Sequence, residues 1–192
     1  MIEEFDALIV VDVQNDFCPG GALPVPNGDE IIPILNRYIT AFNKASKPII
    51  YSMDYHPENH CSFKENGGVW PTHCVHKTKG IRLHPDLFVP KQRSFEKRTM
   101  FIYKGDNPSK EAYSAFEGQT IYDETLAYLL QEKGVINVLI GGLATDYCVK
   151  STVLDALRLG FDVTLLIDGC RGVGDNVATA IGEMILAGAK IR

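Results

Sequence analysis

Short apolar runs rich in β-branched residues alternate with stretches of helical spacing along most of this chain, and that alternation limits the fold more than any other feature. Ala7–Val11 is such a run and ends at Asp12; Pro48–Met53 is a second and ends at Asp54. Met100–Tyr103 is a short third, ending at Lys104, and Val135–Ile140 and Phe161–Ile167 follow. Between them Ile31, Ile34, Leu35, Tyr38, Ile39 and Phe42 recur at helical spacing, with Asp29 as a cap and Pro33 in the first turn. Further helices are predicted over Glu124–Lys133, Tyr147–Leu159 and Asn176–Ala187, each stopped by a glycine, and Lys190–Arg192 could begin an edge strand.

Strands that alternate with helices imply a parallel sheet covered on both faces, and the near-continuous apolarity of the strands agrees. The fold class is therefore α/β: a three-layer αβα sandwich around a mostly parallel sheet of about six strands. With no repeat and no linker, residues 1–192 read as one domain, interrupted by a long irregular insertion at about 54–90. An insertion of that length in a compact domain is usually functional. Ligands of such sheets bind beyond the carboxyl ends of the strands, where Asp12, Asp54, Lys104, the Gly141–Cys148 turn and Asp168 fall.

Composition excludes several classes. A net charge of −5 without a basic stripe argues against a nucleic-acid partner. The acidic N-terminus has no basic n-region, and no apolar run could cross a bilayer, so neither leader nor membrane partner is expected. The five cysteines are odd in number, scattered and without CxxC, which fits a reducing cytoplasm. The first strand–helix turn lacks GxGxxG, and no P-loop occurs.

Two clusters carry chemistry. Cys148 follows the run Val135–Leu143 and opens the helical segment from Tyr147. At a helix N-terminus the free N–H groups and the dipole would depress the thiol pKa. The competing reading is a buried structural cysteine. Asp12, at the end of a buried strand, is the candidate base for such a nucleophile, and Lys104 could stabilise carboxylate and thiolate together; alone, Asp12 reads equally as a capping or turn residue and Lys104 more readily as a solvated strand-end lysine, and the three gain weight only jointly. The second cluster is the insertion, which holds all five histidines. Asp54, His56 and His60 have Asp-x-His-x₃-His spacing, and Trp70-Pro71-Thr72-His73 brings the chain back. A carboxylate with imidazoles suits one divalent ion, Zn²⁺ first, with Mn²⁺ or Fe²⁺ as alternatives. A closed Cys₂His₂ site from His60-Cys61 and His73-Cys74 is the rival, and solvated loop histidines are the bland reading, adopted for His76 and His84.

The segments DVQNDFCPGGALPVPNGDEI (from Asp12), DYHPENHCSF (from Asp54), WPTHC (from Trp70), YKG (from Tyr103), AYSAFEG (from Ala112) and GGLATDYCV (from Gly141) together resemble the nicotinamide deamidase branch of the isochorismatase-like cysteine hydrolases. The resemblance covers nearly the whole chain. It implies that fold, and hydrolysis of nicotinamide or a related pyridine or pyrazine carboxamide such as pyrazinamide through a cysteine thioester, in NAD salvage. It implies Cys148 as nucleophile, Asp12 as general base and acid, and Lys104 as their electrostatic partner. Asp54, His56 and His73 match the metal ligands, and His60 a fourth that some members replace by glutamate. Phe17 and Trp70 match the residues that sandwich the substrate ring, with Leu143 and Tyr103 beside them. A cis peptide is implied at Leu143–Ala144, with the amides of Ala144 and Cys148 as oxyanion hole. A small-molecule substrate is the implied partner, and a homo-oligomer is compatible with the family. Other hydrolases of the superfamily, such as carbamoyl amidohydrolases, and a non-enzymatic zinc-stabilised module are the rival readings.

Overall fold

The computed structural model describes residues 2–91 and 99–192; Met1 and residues 92–98, which the single-domain expectation spans, lie outside the described residues. Strand β1 (Ala7–Val11) is followed by helix α1 (Ile32–Lys44), strand β2 (Ile49–Asp54), strand β3 (Thr99–Lys104), helix α2 (Leu126–Glu132) and strand β4 (Asn137–Leu143). Helix α3 (Lys150–Arg158), strand β5 (Asp162–Arg171), helix α4 (Val177–Leu186) and strand β6 (Lys190–Ile191) complete the chain. The six strands pair in parallel in the order β3-β2-β1-β4-β5-β6.

Side chains alternate along β1 as the pleat requires. Ala7, Ile9 and Val11 join the core beneath α2, α3 and Met184 of α4, whereas Leu8 and Val10 join the core beneath α1. These are the two outer layers that the sequence led one to expect. The strand order reverses between β1 and β4, and the crevice at such a reversal is where open α/β sheets bind ligands. Gly142 makes this crevice. It pairs with Val11 at φ +136°, and a Cβ there would lie 2.1 Å from the Val11 carbonyl oxygen. Only glycine lets β4 run this close to the residue that precedes Asp12.

Several boundaries differ from expectation. Asp29 does not cap α1: it sits inside a 3₁₀ turn, Gly28–Ile31, that leads into the helix, while Pro33 does occupy its first turn. Helix α2 starts later than expected because Thr125 caps it, accepting from the Tyr128 amide at 3.3 Å. The segment from Tyr147 is not α-helical at its start; Thr145–Val149 forms a π-helical turn ahead of α3. Strand β5 runs on past Ile167 to Arg171, with a register shift against β4. Asp168 is therefore an exposed mid-strand residue and aims nothing at the ligand-binding edge. Among the described residues no helix is long and apolar enough to cross a membrane.

Candidate active site

Asp12 follows the last residue of β1 and turns sharply there, at φ +48°. Its side chain is fully buried; Oδ1 accepts from the Ser52 hydroxyl at 2.7 Å. Oδ2 lies 3.0 Å from the Lys104 ammonium but outside hydrogen-bond geometry, and among the described residues it is the buried side-chain oxygen left without a hydrogen bond. Lys104 ends β3, donates to Asp54 Oδ1, and lies 3.5 Å from Cys148 Sγ. Asp12, Asp54 and Cys148 each bring a ligand-type atom within 4.8 Å of the others. Carboxylate, ammonium and thiol thus arrive from β1, β3 and the π-helical turn after β4.

Burial raises the Cys148 pKa well above the ordinary thiol value, and Lys104 only partly offsets this. The sequence-based expectation of a depressed thiol pKa is corrected accordingly. The sulfur is almost wholly desolvated, and the carboxylates of Asp12 and Asp54 oppose a second negative charge. The same burial raises Asp12. For Asp54 burial acts in that direction too, but Lys104 and the facing imidazoles of His56 and His73 outweigh it and hold the carboxyl well below its usual range. Burial opposes the Lys104 charge, yet Asp12 and Asp54 keep it an ammonium.

Asp54 is also the start of a cation site. Its Oδ2 lies 3.4 Å from His56 Nε2 and 3.6 Å from His73 Nε2. Donors bound to one tetrahedral ion at 2.0–2.2 Å stand about 3.3 Å apart. The other nitrogens are fixed: His56 Nδ1–H donates to the Gly105 carbonyl at 2.9 Å and His73 Nδ1–H to the Pro71 carbonyl at 2.7 Å. Both Nε2 lone pairs therefore face inward, the usual outer support of a metal-bound histidine. Gly105 is held at φ +78°, where a Cβ would come within 2.3 Å of the His56 ring. Two buried carboxylates against one ammonium leave an excess of negative charge that a divalent cation would balance. The residues present fit such an ion.

His60 is placed beside this set, its ring 4.2 Å from that of His56. Its Nδ1 accepts from the Ser62 amide at 3.2 Å and its Nε2–H donates to the Lys110 carbonyl at 3.1 Å, so ligation through Nε2 would require the other tautomer. Neither Cys61 nor Cys74 joins a metal-type cluster among the described residues, so the closed Cys₂His₂ alternative has no geometry behind it.

A largely apolar cavity opens above the thiol, between Phe17, Trp70, Tyr113, Ala144, Tyr147 and Val173. Asp54 and His73 reach its wall, so the cation site and Cys148 face one space. The Phe17 ring stands 5.5 Å from His73, and Trp70 is held by its Nε1–H donating to the Tyr113 hydroxyl at 3.0 Å. The peptide Leu143–Ala144 is cis.

An isochorismatase domain matches residues 6–192 of this chain. The chain belongs to the isochorismatase family. It is 41% identical to the nicotinamidase of Escherichia coli (strain K12), over 96% of this chain and 93% of that one. It is similar to the solved structure of the Pyrococcus horikoshii pyrazinamidase in complex with zinc, with a TM-score of 0.87, 48% identity and 97% of each chain covered. A protein of L. infantum, solved in complex with nicotinate, has a TM-score of 0.81 and 34% identity over 98% of this chain and 92% of that one.

Within this isochorismatase domain two expected substrate contacts fall elsewhere. Leu143 is fully buried in the core beneath α1 and does not line the cavity. Tyr103 packs edge-on against Tyr55 and borders a separate surface groove with Asp106 and Gln119. Its side chain points away because it is one residue out of phase with Lys104 on the pleat. Three contributors escaped the sequence reading. Gln14 is a fully buried amide whose Oε1 accepts from the Asp54 N–H and whose Nε2 donates to the carbonyls of Asp54 and Ile81, each at 2.8 Å. Ser52 holds Asp12, and Tyr113 holds Trp70. Gln14 carried a signal, standing two residues beyond Asp12, but isolated polar residues have no spacing rule of their own.

Proposed function

We propose that this protein hydrolyses nicotinamide, or a related pyridine or pyrazine carboxamide such as pyrazinamide, to the acid and ammonia through a Cys148 thioester. The observation that carries the reading is the convergence of Asp12, Lys104 and Cys148 beneath an apolar cavity that also meets Asp54 and His73. The similarity to nicotinamidases and a pyrazinamidase supports the same substrate class. Asp54, His56 and His73, with His60 as a fourth donor, would hold one divalent ion, Zn²⁺ before Mn²⁺ or Fe²⁺, which supplies a positive anchor for a ring nitrogen. The five free cysteines accord with a reducing cytoplasmic setting, and a role in NAD salvage accords with the substrate.

Phe17 and Trp70 would grip the two faces of the ring, each aromatic contact adding about 0.5–1.5 kcal/mol beyond burial. This aims the carboxamide carbon at Sγ, and orientation of that kind lowers a barrier by several kcal/mol. Asp12 Oδ2 takes the thiol proton as the C–S bond forms. The N–H groups of Ala144 and Cys148 receive the carbonyl oxygen as it becomes negative, an effect typically of about 2.7–4 kcal/mol per donor. Asp12 then gives its proton to the amine, the C–N bond breaks and ammonia leaves. Water loses a proton to Asp12 and attacks the thioester, which restores the thiol and releases the acid. A carboxyl whose pKa is raised by burial suits both halves of this work.

Replacement Cys148→Ala should abolish ammonia release and leave nicotinamide binding measurable by calorimetry. Turnover in that variant would remove the covalent scheme.

A further inference from the structure

Glu111 lies in the segment after β3 and lines the same cavity as Asp54, His73 and Cys148. Nothing in the reaction above uses it. Its carboxylate also comes within 4.8 Å of ring nitrogens of both His56 and His60. His56 is common to this group and to the Asp54–His56–His73 group, so the two share one imidazole. Among the described residues no lysine or arginine pairs with Glu111; the adjacent Lys110 pairs instead with Glu117, at 3.4 Å. One oxygen, Oε1, accepts from the Ala112 amide at 3.1 Å. A half-buried carboxylate on a wall made largely of aromatic and aliphatic side chains is unfavourable unless a positive charge faces it. Imidazoles that ligate a metal are neutral and supply none. A cation held beside His56 does.

We propose that Glu111, with Asp54 the second of two acids among the cavity-lining residues, is a further donor to the cation site, its carboxylate reaching the ion or a water bound to it from beside His56 and His60. This assignment rests on the metal-anchored reading above and extends it. It also bears on metal preference. A second carboxylate adds a hard oxygen to a set otherwise rich in imidazole, which favours Mn²⁺ or Fe²⁺ relative to a set of one carboxylate and imidazoles alone. Glu111 would thus tune which ion the site retains, while His60, engaged with Ser62 and the Lys110 carbonyl, completes the coordination only after a tautomer change.

The test is chelator competition on the full chain loaded with Zn²⁺ and, separately, with Mn²⁺, comparing parent, Glu111→Gln and Glu111→Asp. Glu111→Gln is expected to weaken retention by about tenfold or more, with the larger loss for Mn²⁺, and Glu111→Asp to fall between. A Co²⁺-loaded sample should show a changed visible absorption band in Glu111→Gln, a signature that altered cavity packing would not produce. Affinities within twofold of the parent for both ions, with an unchanged Co²⁺ band, overturn the assignment alone. A parent that retains no divalent ion overturns both the assignment and the metal-anchored reading.

Discussion

Burial raises the pKa of Cys148 and that of Asp12 alike, and so biases both the donor and the acceptor of the first proton transfer toward their neutral, protonated forms. Lys104 moderates both, which makes its charge the organising one. Gln14 acts one step further out, as a positioning residue that grips the Asp54 backbone from both sides. Gln14→Met should lower kcat/KM by about 10–100-fold with the fold intact, and part of the loss should appear as weaker metal retention. Steady-state kinetics together with a chelator titration would check it. At this scale the sequence was most legible where a polar residue closes an apolar run, as Asp12, Asp54 and Lys104 do. It was least legible for Glu111 and Gln14, whose partners come from distant loops that no local pattern predicts.

Among the elements, β4 carries the tightest constraint. Gly142→Ala would drive a methyl group into the Val11 carbonyl at a backbone angle that side chains avoid. Destabilisation of roughly 3 kcal/mol or more is expected, seen as a lowered denaturant midpoint or as loss of soluble protein. The other end of β4 is tied by Asp6, whose Oδ2 accepts from the amides of Ile136 at 3.0 Å and Asn137 at 2.8 Å. Partial burial alone would raise the Asp6 pKa, but these donors outweigh it and lower it. The folded value lies below the unfolded one, so this stabilisation is present above the unfolded value of 3.8 and is lost as pH falls through the lowered folded value. Asp6→Ala should cost about 1 kcal/mol at neutral pH, and less against the parent in acid, as urea melts at the two pH values would report. Element types were readable from apolar periodicity. The π-helical turn at Thr145–Val149 was not, because Val149 and Val153 continue the same apolar stripe in either helix geometry.

For the whole molecule, periodicity foretold a parallel sheet with two covered faces but could not rank the strands. That β4 lies beside β1 is a long-range pairing that runs from Ala7–Val138 to Val11–Gly142, and the binding crevice depends on it in turn. The cation site ties the insertion after β2 to the sheet through Asp54, so its ligand should stabilise the entire fold. At a free ion concentration a hundred times Kd, binding adds about 2.7 kcal/mol. Chelation should therefore lower Tm and raise KM for the carboxamide, and full activity with an unchanged Tm in metal-free protein would contradict this. A last consequence comes from where Lys104 rides. Strand β3 is an edge strand, laddered to β2 on one side and, among the described residues, bridged on the other at Tyr103–Gln119, and margins of sheets open more readily than their centres. Gentle warming should then unhook the ammonium while the middle of the sheet stays closed, and turnover should fade before amide exchange in β1 and β4 quickens.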